Sequence, residues 1–96
     1  MKFAIRPRQG GKTHLSVEWL REDPDHRVIV TANAQMARDL RQGYGLTEKQ
    51  VAVAGSASIR GRRAEYAVDN LDIILPQLLG TGPNPVTVVT ATGESI

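Results

Sequence analysis

The sequence predicts an α/β fold, a three-layer parallel sheet of about four to five strands with flanking helices. Three observations carry this reading. Short β-branched runs alternate with segments of helical apolar spacing, the pattern of strands joined by crossover helices. One run, "RVIVTA" (27–32), is apolar almost throughout, as a strand buried on both faces must be. A glycine-containing loop, "RPRQGGKT" (6–13), separates the first candidate strand from the first candidate helix. A chain of 96 residues makes one domain, 1–96, with one modest core.

"KFAIR" (2–6) alternates polar and apolar residues and reads as the first strand. "KTHLSVEWLRED" places Leu15 and Trp19 four apart with Leu20 beside them, a helical face that opens at Gly11-Lys12-Thr13. "DPD" (23–25) ends that helix, because proline cannot continue it. After the buried strand, Asn33 suits an N-cap, and Met36, Ala37 and Leu40 form the inner face of a second helix ending near Gly43. "TEKQ" (47–50) has capping-box spacing for a single turn, and "VAVAG" (51–55) is a short strand closed by glycine.

"SASIRGRR" (56–63) is a polar, basic connection. "AEYAVDN" (64–70) is a further strand that stops on Asp69 and Asn70, and "LDIILPQLLG" (71–80) is helical with Pro76 as its irregularity. Pro76 either kinks this helix or lies in the first turn of a shorter one. "TGPNP" (81–85) is loop, "VTVVTAT" (86–92) a last β-branched strand, and "GESI" a frayed end. There is no internal repeat and no low-complexity linker.

Composition excludes several classes of chemistry. With no cysteine there are no disulfides, thiolate metal sites or thiol nucleophiles, and two histidines do not suggest a zinc site. No apolar run approaches the length of a membrane span or a signal peptide, so the expected location is the cytoplasm, with no membrane partner. The formal charge is only +2, but residues 1–21 carry Lys2, Arg6, Arg8, Lys12 and Arg21 against Glu18 alone. A second basic cluster, Arg60, Arg62 and Arg63, lies mid-chain. Both clusters are either solvated faces or contacts for an anion.

The loop and its setting carry the functional expectation. G-K-T alone is weak, but a strand before it and a helix starting at Lys12 are the context a phosphate-gripping loop needs. In such a loop, main-chain N–H groups from Gln9, Gly10, Gly11, Lys12 and Thr13 and the helix N-terminus surround the phosphates, with Arg8 and His14 as further candidate nucleotide contacts. Lys12 reaches the β- and γ-phosphates, and the Thr13 hydroxyl ligates Mg²⁺. Arg6 stands where such loops usually carry their first glycine, and Pro7 biases it to an extended conformation. A metal-linked carboxylate is also required at the end of another strand, and Asp69 in "YAVDN" has that position. The alternative reading of Asp69 is a cap on the helix of 71–79.

These stretches resemble the nucleotide-binding core of RecA-like helicase and terminase motors. "RPRQGGKT" is similar to the first motif, "TANAQMARDL" to the stretch after the second strand, "YAVDN" to the acidic pair, and "TAT" (90–92) to the S/T-A-T segment. The chain looks most like very small, phage-type P-loop proteins, with "GRRAEYAVDNLD" matching their Gly-Arg and apolar-Asp-Asn-x-Asp block. The resemblance covers nearly the whole chain. It implies a minimal RecA-like P-loop core that binds ATP, or another nucleoside triphosphate, with Mg²⁺. Thr90 and Thr92 would be sensor-like, on a strand between the P-loop and Asp69 strands.

The motors carry Glu after the metal-linked Asp, whereas this chain has Asn70, whose amide cannot take a proton from the attacking water. Losing a positioned base costs about a hundred- to ten-thousand-fold in rate. A single core also lacks the arginine finger of a second domain, so hydrolysis is expected to be weak or absent. Glu65 is at the wrong end of its strand to substitute, and Asp72 belongs to the helix N-terminus. Arg60, Arg62 and Arg63 are candidate contacts for anions or for a second copy. The competing functions are a nucleic-acid-binding accessory protein using the basic clusters, and an interaction protein with a vestigial loop that modulates a host motor. The candidate macromolecular partners are a second copy of the chain, a host or phage protein, or nucleic acid.

Overall fold

Val28, Ile29 and Val30 offer no polar face to water, and they form the middle of β2 (Arg27–Thr31), the central strand of a three-stranded sheet. The computed structural model describes residues 1–6, 11–59 and 62–96. Among these, β2 is flanked by β3 (Val51–Val53) and β4 (Glu65–Val68), both parallel to it, in the order β3-β2-β4. The register pairs Ile29 with Val51 and Val30 with Val68. Successive strand residues point to opposite faces, and Val28, Ile29 and Val30 are all buried, so the central strand is covered on both sides as its composition requires, while Tyr66 and Val68 of β4 remain exposed.

Two helices share one side of the core. α1 (Lys12–Glu22) contributes Val17 and Leu20, and α2 (Ala34–Tyr44) contributes Ala37 and Leu40, to a cluster with Ile29 and Val51. The Asn33 side chain accepts the Met36 N–H at 2.9 Å, capping α2 as its sequence position indicates. α2 runs one residue past Gly43 and closes on Gly45, whose left-handed φ of 68° a Cβ would oppose. The Gln50 side chain reaches back to the Thr47 N–H at 2.9 Å, so the capping-box residues make a turn without a helix. Arg27 fixes the far end of α1: its guanidinium lies 4.7 Å from the Trp19 ring centre and donates to the Trp19 carbonyl at 2.6 Å.

α3 (Leu71–Leu79) follows β4 directly, and Pro76 lies inside it rather than in its first turn. A short 3-10 turn at Ala57–Ile59 interrupts the polar connection before β4.

The expected single sheet of four to five strands is not formed. β1 spans only Lys2–Phe3 and pairs, in parallel, with β5 (Glu94–Ser95) in a separate two-stranded sheet. The segment expected to fray is therefore the one that pairs. Gly93 permits this, because a Cβ there would overlap the Met1 carbonyl and the Phe3 ring. Residues 86–92 form no strand, and Val88 and Val89 are exposed. Strand propensity measures fit to a half-buried pleated surface, and here no neighbouring strand supplies one. Thr90 and Thr92 consequently do not lie on a strand between β1 and β4.

Candidate functional site

Asp69 and Thr13, 56 positions apart, meet at the C-terminal end of the three-stranded sheet. The Thr13 hydroxyl donates to Asp69 Oδ2 at 3.2 Å. Each partner is placed by its element. Gly11, with φ 80° and ψ 17°, turns the chain into α1, and its carbonyl accepts the Leu15 N–H at 3.0 Å. Only glycine adopts that left-handed geometry freely. Lys12 and Thr13 are thus the first two helical residues, beside main-chain N–H groups that have no partner within the helix. Asp69 is held by its own N–H, which donates to the Val30 carbonyl at 2.9 Å and continues the β4 ladder for one residue.

Asp69 is 5 % exposed. Burial raises its pKa above the ordinary carboxylate value, because desolvation disfavours the charged form. The Thr13 hydrogen bond and the Lys12 charge act against that rise, and the Asp72 charge adds to it. A buried carboxylate and a hydroxyl, with an ammonium near enough to be felt, form a hard-oxygen donor pair beside a helix N-terminus. That set suits Mg²⁺ bound together with phosphate oxygens. Among the described residues no group of three or more His, Asp or Glu side chains assembles.

A cleft of about 330 Å³ opens from this pair, lined by Thr13, Asp69 and Asn70 and, from α2, by Met36, Asp39, Leu40 and Tyr44. None of these α2 residues is an expected site residue; Met36 and Leu40 are expected only as core. The signal for the cleft wall was their spacing, since 36, 40 and 44 lie on one helical face.

The remaining expected residues are elsewhere or differently engaged. Arg8, Gln9, Gly10 and Arg60 lie outside the described residues. His14 is exposed, with Nε2 3.0 Å from Glu18 Oε1 along α1. Arg6 donates to the main-chain oxygen of Ile96 at 2.6 Å. Arg62 donates to the Lys49 carbonyl, and Arg63 is exposed. Thr90 and Thr92 are exposed in the irregular segment. Glu65 begins β4, opposite Asp69, with Oε1 3.7 Å from Arg27 Nε. Asp69 does not cap α3; the N-cap is Asn70, and its side chain makes no capping hydrogen bond. No helix among the described residues is long and apolar enough to cross a membrane.

Compared with protein-family models, curated proteins and solved structures, the chain matches none.

Proposed function

We propose that this chain is a nucleotide-binding P-loop protein that takes a nucleoside triphosphate, with ATP the first candidate, together with Mg²⁺, and hydrolyses it weakly or not at all. The observation that carries this reading is the Thr13–Asp69 hydrogen bond. It joins the residue after the loop lysine to a buried carboxylate at the end of a parallel strand. On this reading the three-stranded sheet with α1 and α2 is the reduced core of a RecA-like fold. Thr13 and Asp69 hold the metal, Asp69 through its water shell, and Lys12 and the first N–H groups of α1 hold the phosphates. The metal would neutralise charge on the β- and γ-phosphates and on the buried Asp69.

Slow turnover follows from what stands beside Asp69. Asn70 offers no base for an attacking water, and the Asp72 carboxylate is exposed in the first turn of α3. The protein then works as a nucleotide-responsive module, alone or with a second copy or a host or phage protein.

Thermal melting with ATP, GTP and ADP, with and without Mg²⁺, tests the proposal. The expected outcome is Mg²⁺-dependent stabilisation that disappears in Lys12→Ala. Salt-sensitive DNA or RNA binding that survives Lys12→Ala, with no nucleotide effect, would replace it with the nucleic-acid reading.

A further inference from the structure

Asn70 has φ 60° and ψ 61°, and among the described residues it alone combines a side chain with a positive φ. In that left-handed region a Cβ crowds the following carbonyl, and asparagine tolerates the conformation better than most residues. The twist has a definite place. Immediately before it, the Asp69 N–H makes the last sheet bond, to Val30. Immediately after it, the Asn70 carbonyl accepts the Ile73 N–H at 3.0 Å and the Ile74 N–H at 3.3 Å, starting α3. One residue therefore turns the chain from strand to helix, and the buried carboxylate bonded to Thr13 is attached to it.

The asparagine side chain borders the cleft but makes no capping bond to α3, so its amide does not account for the turn. We infer that Asn70 is a positioning residue whose left-handed backbone, rather than its amide, sets Asp69 against Thr13. This rests on the nucleotide reading and deepens it. The residue at 70 is then more than a missing base. Glutamate there would be driven toward an extended or right-handed backbone and would carry Asp69 away from Thr13. Restoring the motor-like acidic pair would weaken the metal site without creating a working base.

The test compares wild type with Asn70→Gly, Asn70→Ala and Asn70→Glu by titration with ATP or GTP, whichever wild type binds, with and without Mg²⁺. Melting curves set a temperature at which each variant is folded. Glycine accepts positive φ, so Asn70→Gly keeps the Mg²⁺ enhancement within about twofold of wild type. The alanine and glutamate variants populate the competent turn less, and lose about five- to thirtyfold in Mg²⁺-bound affinity with little change in its absence.

Loss in the glycine variant as large as in alanine would assign the role to the amide and overturn the inference. So would wild-type behaviour in all three, or equal losses with and without Mg²⁺, the mark of a merely structural residue. A loss of Mg²⁺ enhancement in the glycine variant overturns the inference even where alanine or glutamate does not fold, and either of those two variants, folded and impaired, completes the comparison. A wild type that binds neither nucleotide with Mg²⁺ dependence removes the nucleotide reading and this inference together; binding wild type with the wrong variant pattern removes the inference alone.

Discussion

A carboxylate on a residue with 5 % exposure has given up much of its hydration, and one hydroxyl replaces little of it. Asp69 shows the consequence in its raised pKa, with burial as the largest cause. The linkage has a definite sign. When the folded pKa lies above the unfolded one, the folded state binds the proton more tightly. The group's stabilising contribution is therefore complete below the unfolded value, near 3.8, and is lost as pH rises through the folded value. At pH 7, well above the unfolded value, the raised pKa of Asp69 opposes folding of the ligand-free protein. Asp69→Asn keeps an oxygen for the Thr13 hydroxyl and removes that opposition. Ligand-free Asp69→Asn should melt above wild type at pH 7, by roughly 4–8 °C for each kcal/mol relieved in a domain of this size. The advantage should shrink as pH falls toward 4, while Mg²⁺-dependent nucleotide stabilisation disappears. An Asp69→Asn protein that melts below wild type at neutral pH would mean the carboxylate contributes structural bonds beyond its contact with Thr13.

At the level of elements, what was legible in the sequence was what local chemistry decides. The start of α1 at Lys12, the Asn33 cap, the buried β2 run and the short strand at Val51–Val53 follow from patterns within a dozen residues. The 86–92 run has equally good β-branched composition, yet forms no strand, because a strand needs a neighbour to pair with and composition does not supply one. Long-range placement was legible at one point: Asp69 was expected near Thr13 on the reading of a metal-phosphate site, and the two side chains do meet. The left-handed turn at Asn70 had no sequence signal, since asparagine occupies many backbone states. Pro76 is the clearest local conflict. It sits in the interior of α3, where it cannot donate to the Asp72 carbonyl and its ring crowds that turn. Pro76→Ala restores the donor, and an interior proline costs about 3 kcal/mol relative to alanine. Greater freedom of the unfolded chain returns about 0.4–1 kcal/mol of that gain. Urea unfolding should therefore show a net stabilisation of about 2–2.6 kcal/mol. A lower midpoint would mean that the proline shapes packing around Ile74, the buried residue of this helix.

Across the whole molecule, stability is unevenly distributed. Among the described residues the buried apolar side chains run from Val17 to Ala52, with Ile74 the one later member. β2 is paired on both sides, whereas β1 and β5 meet over two residues each and Val88 and Val89 stand in solvent. Amides of β2 should exchange with solvent only through global unfolding, and those of 86–92 should exchange almost freely. A ligand that binds the folded state alone lowers the unfolded population by the factor 1 + [L]/Kd. Mg²⁺-ATP at about a hundred times its Kd should then slow exchange of the Val28–Val30 amides about a hundredfold. The 86–92 amides should keep their rates, because their opening does not require the site to come apart. Hydrogen exchange read by mass spectrometry on peptides from the two regions separates the possibilities. Equal slowing in both would mean that nucleotide orders the C-terminal segment as well as the core. Slowing in neither, at a concentration where binding is measured independently, would place the nucleotide somewhere other than a site built on the folded sheet.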